Sequence, residues 1–448
     1  MPSQDKYFID IHCHLFNVEH VPLRQAIRRI TENFNKGLVK RGLIAAGAMT
    51  LGSIAGTALA LGSNKIAKQF FKAYEAFIRF FDQPIQTNIA DLLKALKALG
   101  SRADIDKRVR IFTPLIMDFE RCETYKSLAN QAGDLKRAIA DSATLLTKNQ
   151  TLILPFLGMD LRRFHDQPQV AADVALQSFF ADIGISWKPA SDRRKPDKLE
   201  NADFVGIKLY PSLGFDIFPQ DKALCERNVQ ILKAVMDMDL PITTHCQIAS
   251  YECDPGDVSN NTLINFANPE KWLRLLEAYP ELSDLRINFA HFGGEQGVAK
   301  VLMWNDDVPD PQALYLEPGG LFSASWTYWI IRLVKTYPNA YSDISAFDFS
   351  DRKAVASLAW LLVRDAQGAY DDLGPHRLLD KLMWGSDVPM ILSDHGTYMS
   401  LFESFHGIAD FRNFNTGNYG LPKASDLPKR DNLIQRLVDM NPRRFLFG

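Results

Sequence analysis

Apolar segments of strand length recur eight times along this chain of 448 residues, with helix-length stretches between them. Strands that alternate with helices favour right-handed βαβ units and a parallel sheet. Eight such units predict a closed (β/α)8 TIM barrel, an α/β fold whose active site lies at the C-terminal ends of the strands. The predicted strands are 7–11, 109–117, 152–159, 204–209, 241–246, 285–292, 340–344 and 382–384.

A doubly wound open sheet is the alternative, but no GxGxxG or GxxxxGK[ST] turn follows an early strand. We therefore expect one barrel domain over 1–448. Residues 17–105 interrupt the alternation with amphipathic runs, which predict a helical insertion between the first strand and the first helix. Because such an insertion emerges at the active-site face, we expect it to cap the pocket or to form a subunit contact.

The first predicted strand ends in three side chains that could serve a metal site, Asp10, His12 and His14. Residues two apart in a strand point to the same side, so the three are expected to share one face. Two imidazoles on one strand can bind a single divalent ion, with the Asp10 carboxylate one layer deeper.

Further polar side chains follow later strands: Lys208, His245, His291 and Asp387. One strand-end histidine is more often structural than a ligand, but the combination with the HxH pair reverses that expectation. Three imidazoles and one carboxylate from separate strands suit Zn²⁺ or another borderline divalent ion, with a position left open for water or substrate.

In this order, the strand-end residues resemble the amidohydrolase superfamily, in particular its amidohydrolase-2 (amidohydrolase-related) branch of metal-dependent hydrolases and decarboxylases. The resemblance covers most of the chain outside 17–105. It is carried by the segments 10–14 (DIHCH), 155–163 (PFLGMDLRR), 206–211 (GIKLYP), 244–245 (TH), 290–291 (AH), 385–389 (GSDVP) and 441–445 (NPRRF).

This resemblance implies that His12, His14, His245 and Asp387 are metal ligands, most simply of one zinc ion. His291 would bind a second metal or act as acid or base beside the first. Lys208 matches the position of a carboxylated, metal-bridging lysine in binuclear relatives. An unmodified Lys208 could instead hold a substrate carboxylate or pair with an acidic neighbour.

The predicted activity is hydrolysis of an amide, ester or lactone bond in a small organic substrate. A bound metal lowers the pKa of its water from about 15.7 towards roughly 7. Asp387 would take the water's proton, and His291 would help to polarise the carbonyl. The alternative is a metal-dependent decarboxylase, in which Asp387 or His291 protonates carbon while CO₂ leaves. The same ligands serve both reactions.

Some residues near the expected mouth could serve either the site or the fold. Arg162 and Arg163 could bind a substrate carboxylate or form salt bridges. Three aromatic residues could line a pocket, although their α-helical spacing favours packing within a helix bundle or core: Trp326, Tyr328 and Trp329. Asp394 and His395 follow the last strand.

Composition excludes some partners. The net charge of −2, without a Lys/Arg block, argues against nucleic acid. Five cysteines without a CxxC pair fit a reducing compartment better than a disulfide framework. Cys246 and Cys253 are expected to be buried free thiols rather than zinc-knuckle ligands. With no secretory signal evident at the N-terminus, we expect a cytoplasmic protein.

Residues 42–64 form an uncharged stretch whose length suits a membrane span. Its Ala, Gly, Ser and Thr content gives only a modest hydrophobic driving force, so a buried helix or helical hairpin is favoured. Contact with a membrane surface or a second copy is the alternative. It supports a third hypothesis, a membrane-associated binding module, against which the intact ligand set argues.

Overall fold

A computed structural model describes residues 7–22, 79–103, 108–122, 124, 126–248, 260–299, 301, 304–305, 308–309, 325–349, 351–392, 397–408 and 430–448. Its strands are β1 (Tyr7–Cys13), β2 (Val109–Pro114), β3 (Thr151–Ile153), β4 (Phe156–Gly158), β5 (Gly206–Leu209), β6 (Ile242–His245), β7 (Ile287–Ala290), β8 (Trp304–Asn305), β9 (Val308–Pro309), β10 (Ala340–Asp343) and β11 (Leu382–Met383).

Helices lie between the strands, as the alternation predicts. They are α1 (Ile85–Ala103), α2 (Leu128–Asp141), α3 (Ala143–Lys148), α4 (Ala172–Ile183), α5 (Ala190–Arg193), α6 (Lys222–Asp237), α7 (Asn260–Phe266), α8 (Pro269–Ala278), α9 (Glu295–Ala299), α10 (Trp326–Thr336), α11 (Arg352–Ala366), α12 (Tyr398–Ile408), α13 (Arg430–Gln435) and α14 (Asn441–Phe447).

The parallel strands follow one another around a barrel. Hydrogen-bonded neighbours run β1-β2-β3 and then β4-β5-β6-β7-β10-β11, while β8 and β9 form a separate antiparallel pair. β3 and β4 are two pieces of the third barrel strand, and the Ile116 amide next to β2 donates to the carbonyl of Phe156 in β4 at 3.0 Å. The Ile11 amide of β1 donates to the carbonyl of Trp384 after β11 at 3.3 Å, which joins the last strand to the first. The predicted (β/α)8 barrel is confirmed.

The C-terminal helix covers the N-terminal end of the barrel. Arg286, immediately before β7, donates from Nη1 to the carbonyls of Phe445 and Leu446 at 3.0 and 2.9 Å. The Phe445 ring stacks on Phe156, with ring centroids 6.3 Å apart. It belongs to an apolar cluster with residues in or next to several strands, among them Ile9, Ile11, Ile111, Leu154, Val205, Tyr341 and Met383.

Only the end of the predicted insertion is described. Helix α1 packs on α2 and α12 through apolar residues at helical spacing, which include Ile85, Ile89, Leu92, Leu93 and Leu96. The apolar segment 42–64 lies outside the described residues, so its predicted role is untested. No helix within the described ranges has both the length and the apolar character that crossing a membrane requires.

The cysteines follow the prediction in part. Cys13, Cys225 and Cys246 are buried free thiols, as predicted for Cys246, whereas Cys122 is disulfide-bonded, which the preference for a reducing compartment did not anticipate. Cys253 lies outside the described residues.

Candidate metal centre

Three of the predicted ligands meet at the C-terminal end of the barrel. His12 and His14 come from the end of β1, and Asp387 follows β11. The Nε2 atoms of His12 and His14 lie 3.4 and 3.3 Å from Oδ1 of Asp387. The two segments are tied together because the Asp387 amide donates to the His12 carbonyl at 2.7 Å. A Cβ at Gly385 would lie only 2.5 Å from Cβ of His12, so this approach requires glycine.

The Nδ1 atoms of the two histidines face hydrogen-bond acceptors. His12 Nδ1 lies 3.0 Å from Oδ2 of Asp343, and His14 Nδ1 lies 2.9 Å from the carbonyl of Leu115. Burial alone would raise the pKa of Asp343, but the His12 imidazole and its hydrogen bond hold that pKa well below the usual range. Both Nδ1 atoms therefore carry the proton, since a carboxylate and a carbonyl can only accept.

It follows that lone pairs on both Nε2 atoms point towards the carboxylate of Asp387. Three electron-rich donor atoms at 3.3 to 3.4 Å repel one another unless a cation lies among them. Two imidazole nitrogens and a carboxylate oxygen are typical ligands of divalent zinc or manganese. The donor set therefore fits the predicted divalent ion.

His245 and His291 lie beside this triad as a hydrogen-bonded pair. Nε2 of His291 is 3.1 Å from Nδ1 of His245, and the ring centroids of His12 and His291 are 4.7 Å apart. Among the described residues, two groups place one potential ligand atom of each member within 4.8 Å of the others. One group is His12, His14 and Asp387, and the other is His12, His291 and Asp343. Neither group contains His245, so its role as a ligand stays a prediction.

Burial also sets the charge of His291. The pKa of His291 falls to about 4 because burial disfavours the imidazolium, which Asp387 offsets only in part. The ring is therefore neutral near pH 7.

Asp343 and Ser345 are the site residues that the sequence reasoning missed. Asp343 ends β10, so the strand-end rule that selected the other ligands would also have selected it. Its carboxylate accepts from Asn288 Nδ2 at 2.6 Å and from the His291 amide at 3.0 Å. The Ser345 hydroxyl lies 3.1 Å from Nδ1 of His12 and 2.9 Å from Nδ1 of His291.

Asp10 does not share the face of His12 as predicted. Its carboxylate accepts from the Ser386 amide at 2.9 Å and from the Tyr398 hydroxyl at 3.1 Å. The register of β1 against β2 shifts between Asp10 and Cys13. This irregularity breaks the alternation on which the expectation depended.

Lys208 is a buried cation beside the centre. It is 1% exposed, and among the described residues its Nζ atom has no hydrogen-bond partner and no salt bridge. Burial lowers the pKa of Lys208 to about 8, and the charges of Asp343 and Asp387 oppose this shift only in part. The predicted pairing with an acidic neighbour is therefore not made by the described side chains.

An apolar cluster borders the centre, and we call it the mouth wall. It consists of Phe16, Val21, Met117, Phe119, Cys122 and Leu213, with Phe81, Tyr210 and Met390 packed against it. Tyr210 stacks on the His245 ring at 4.3 Å between centroids, and Phe16 lies 5.3 Å from the His14 ring. Phe81, from the predicted insertion, lies 5.6 Å from Phe16.

The remaining candidates have structural contacts or are not described. Arg162 forms a salt bridge with Asp160, and Arg163 does so with Asp118 and Glu120. Both arginines are thus engaged within the protein. Trp326, Tyr328 and Trp329 lie in α10, where Tyr328 and Trp329 pack edge to face at 5.3 Å. Asp394 and His395 lie outside the described residues.

The sequence of the chain also matches a known family. The Amidohydro_2 family model, described as amidohydrolase, matches residues 169–447. The chain belongs to this family. The resemblance stated from the sequence is confirmed. No curated protein matches the sequence.

Solved structures with low similarity to this chain include some with bound metal. A 5-carboxyvanillate decarboxylase from Novosphingobium aromaticivorans, complexed with manganese and 4-hydroxy-3-methoxy-5-nitrobenzoic acid, aligns over 100% of this chain and 97% of its own, with 12% identity and a TM-score of 0.42. A 2,6-dihydroxybenzoate decarboxylase from Rhizobium aligns over 79% and 87%, with 14% identity and a TM-score of 0.38.

An amidohydrolase from Burkholderia multivorans with bound zinc aligns over 63% of this chain and 88% of its own, with 11% identity and a TM-score of 0.28. These scores are too low to carry an argument about chemistry.

Proposed function

We propose that this protein is a metal-dependent decarboxylase of a small carboxylic acid. The observation that carries the proposal is the buried Nζ atom of Lys208, which has no hydrogen-bond or salt-bridge partner among the described residues, lies 5.7 Å from the centre of the Tyr210 ring and is beside the donor triad. A buried charge without a counter-charge is costly. The carboxylate of a bound substrate would supply that counter-charge through a charge-assisted hydrogen bond.

The described residues have distinct roles in this proposal. Lys208 binds and orients the substrate carboxylate. Tyr210, stacked on His245, offers a ring face against which a planar substrate can pack. His12, His14 and Asp387 hold the ion, with His245 as the predicted fourth ligand. When bound, a divalent ion supplies a Lewis acid that stabilises negative charge on substrate oxygens.

Decarboxylation breaks the bond between carbon and the carboxylate, leaves the electron pair on carbon and replaces CO₂ with a proton. We assign delivery of that proton to Asp387, which would first take it up from solvent, because both ring nitrogens of His291 already bond to Ser345 and His245. The mouth wall favours loss of CO₂ over retention of the charge, because a carboxylate is costly to keep in apolar surroundings and CO₂ is neutral.

Hydrolysis of an amide, ester or lactone is the second candidate, and the protonation state of Asp387 favours it. Burial raises the pKa of Asp387, but the close contact with the His14 ring and the neighbouring imidazoles of His291 and His12 lower it below the ordinary value. An ionised carboxylate can serve as a general base near neutral pH. In that reaction Lys208 would hold a negatively charged part of the substrate.

The remaining predictions extend the proposal. One zinc ion is our first choice of metal, and manganese fits the same donors. A carboxylated Lys208 would bridge two ions and is the alternative state of that residue. Phe81 in the mouth wall supports the prediction that the insertion over 17–105 caps the pocket. A cytoplasmic location and a homo-oligomer stay predictions.

Substrate screening with product analysis tests the function. The metal-loaded protein is incubated with aromatic and aliphatic carboxylates, lactones and amides, while CO₂ release and hydrolysis are followed separately. We expect CO₂ release that is strongly reduced at low substrate concentration in Lys208→Met and partly kept in Lys208→Arg. Hydrolysis without CO₂ release would transfer the assignment to the second candidate. An intact-mass increase of one CO₂ on Lys208 would show the bridging state instead.

A further inference from the structure

Asp343 is the fixed end of a chain of buried hydrogen bonds. Its Oδ2 accepts from Asn288 Nδ2, and its Oδ1 accepts from the backbone amides of His291 and Ser345 at 3.0 and 3.1 Å. All these groups are donors that cannot accept. The carboxylate therefore stays an acceptor towards every other neighbour, and this fixes the direction of the hydrogen bonds that reach it.

The next member is Ser345, whose hydroxyl donates to Oδ1 of Asp343. A hydroxyl has one proton, so towards Nδ1 of His291, at 2.9 Å, it must accept. The backbone carbonyl of Ser345, which can only accept, lies 3.4 Å from the same nitrogen. The hydroxyl contact requires the proton of His291 to be on Nδ1, and the longer carbonyl contact, which any residue at 345 keeps, favours the same tautomer only weakly.

The direction then passes from His291 to His245. A neutral imidazole has one N–H group, so Nε2 of His291 carries a lone pair. This atom lies 3.1 Å from Nδ1 of His245, which must therefore donate. His245 is left with its lone pair on Nε2, the same tautomer that Asp343 imposes directly on His12 at 3.0 Å.

We propose that Asp343 is a positioning residue that sets the tautomer of His12 directly and that of His245 through Ser345 and His291. As a result, both histidines present an unprotonated Nε2 atom to a metal ion. His291 is then a relay between Ser345 and His245 rather than a ligand of a second metal. The role of the ion rests on the proposed function, but the tautomers belong to the metal-free protein.

The first experiment reads the tautomers without metal or substrate. Long-range ¹H–¹⁵N spectra of metal-free protein labelled at histidine nitrogens distinguish Nδ1–H from Nε2–H, with signals assigned by single substitutions. We expect His12, His245 and His291 all to be Nδ1–H. In Ser345→Ala, His245 and His291 become mixtures of tautomers, while His12 keeps its proton on Nδ1 because Asp343 still holds it.

Ser342→Ala is the matched control. Ser342 is a buried serine in β10, three residues before Ser345, and its hydroxyl donates to the carbonyl of Phe289 and contacts no imidazole among the described residues. Its loss should leave all three tautomers unchanged. An Nε2–H form of His245 or His291 in the wild type, or spectra of Ser345→Ala identical to those of Ser342→Ala, would overturn the proposal.

The second experiment measures metal affinity by competition with a chelator. Loss of an outer partner of a metal-bound histidine typically costs 10- to 100-fold in affinity. We expect a loss of about 10-fold in Ser345→Ala and about 100-fold in Asp343→Asn. Affinity should be near the wild-type value in Ser345→Thr, which keeps the hydroxyl, and in Ser342→Ala. Equal affinity in all these variants contradicts the relay. Absence of CO₂ release with the expected tautomers would remove the proposed function alone.

Discussion

At the N-terminal end of the barrel, the interior is filled by apolar side chains of the strands and sealed by Phe445 from α14. At the C-terminal end, the same strands contribute imidazoles, carboxylates and an ammonium group, among them His12, Asp343 and Lys208, and these are equally buried. The first end gains stability from every group that it removes from water. The second end removes polar groups from water at a cost, which only mutual hydrogen bonds and a bound ligand can offset.

The residues that stabilise the barrel and the residues that form the site therefore lie at opposite ends of the barrel axis. The apolar end needs shape and volume, so its residues can be exchanged for others of similar size. The polar end needs donors and acceptors in matched directions, so the loss of one hydrogen-bonding atom also changes the hydrogen bonds of its neighbours. Substitutions at the two ends should therefore give opposite patterns of stability and activity.

The largest effect is expected from Asp387→Ala at the polar end. The variant removes the only carboxylate of the triad His12, His14 and Asp387, so the divalent ion is bound weakly and kcat/KM falls by about 10³-fold or more. The circular dichroism spectrum should match that of the wild type, because the barrel core is untouched. Full turnover in this variant would contradict the site.

Phe445→Ala tests the apolar end. Removal of a buried phenyl ring leaves a cavity under the strands, and we expect a loss of about 3–5 kcal/mol in the free energy of unfolding. Metal affinity of the folded fraction should stay within about twofold of the wild type. Denaturant unfolding and chelator competition on the same preparation measure both quantities. Coupled losses of stability and metal affinity would show that the two ends are not separable.

Lys208→Met should act on substrate binding. A charge-assisted hydrogen bond contributes about 1.5–3 kcal/mol, so we expect KM to rise by about 10- to 100-fold. Stability should increase or stay unchanged, because the substitution removes a buried charge and keeps the apolar stem. Initial-rate kinetics and thermal unfolding check the two parts. An unchanged KM would exclude Lys208 from substrate recognition.

The smallest effect is a pH dependence. The ammonium group of Lys208, with a pKa of about 8 in the free protein, is charged below that pH and neutral above it. We therefore expect kcat/KM to fall as the pH rises through about 8, by up to about tenfold for each further pH unit. In Lys208→Arg this decline should be absent, because arginine stays charged. A decline that persists in Lys208→Arg would come from another group.

Much of the fold could be predicted because strand and helix periods are local properties of the sequence. All eight predicted barrel strands are present, and the strand-end rule located His12, His14 and Asp387. Asp343 ends β10, the seventh barrel strand, and obeys the same strand-end rule, although the predicted ligand set does not include it. The orientation of Asp10 could not be predicted, since the irregularity in β1 depends on its pairing with β2. The contact between His245 and His291 depends on two separate strands and is not encoded in either segment.

The most direct test of the account is a crystal structure of the protein loaded with manganese, with anomalous scattering recorded. We predict one strong peak within coordination distance of Nε2 of His12, Nε2 of His14 and Oδ1 of Asp387. No peak at full metal loading, or a peak held by other residues, would contradict the central claim that these lone pairs converge on a cation.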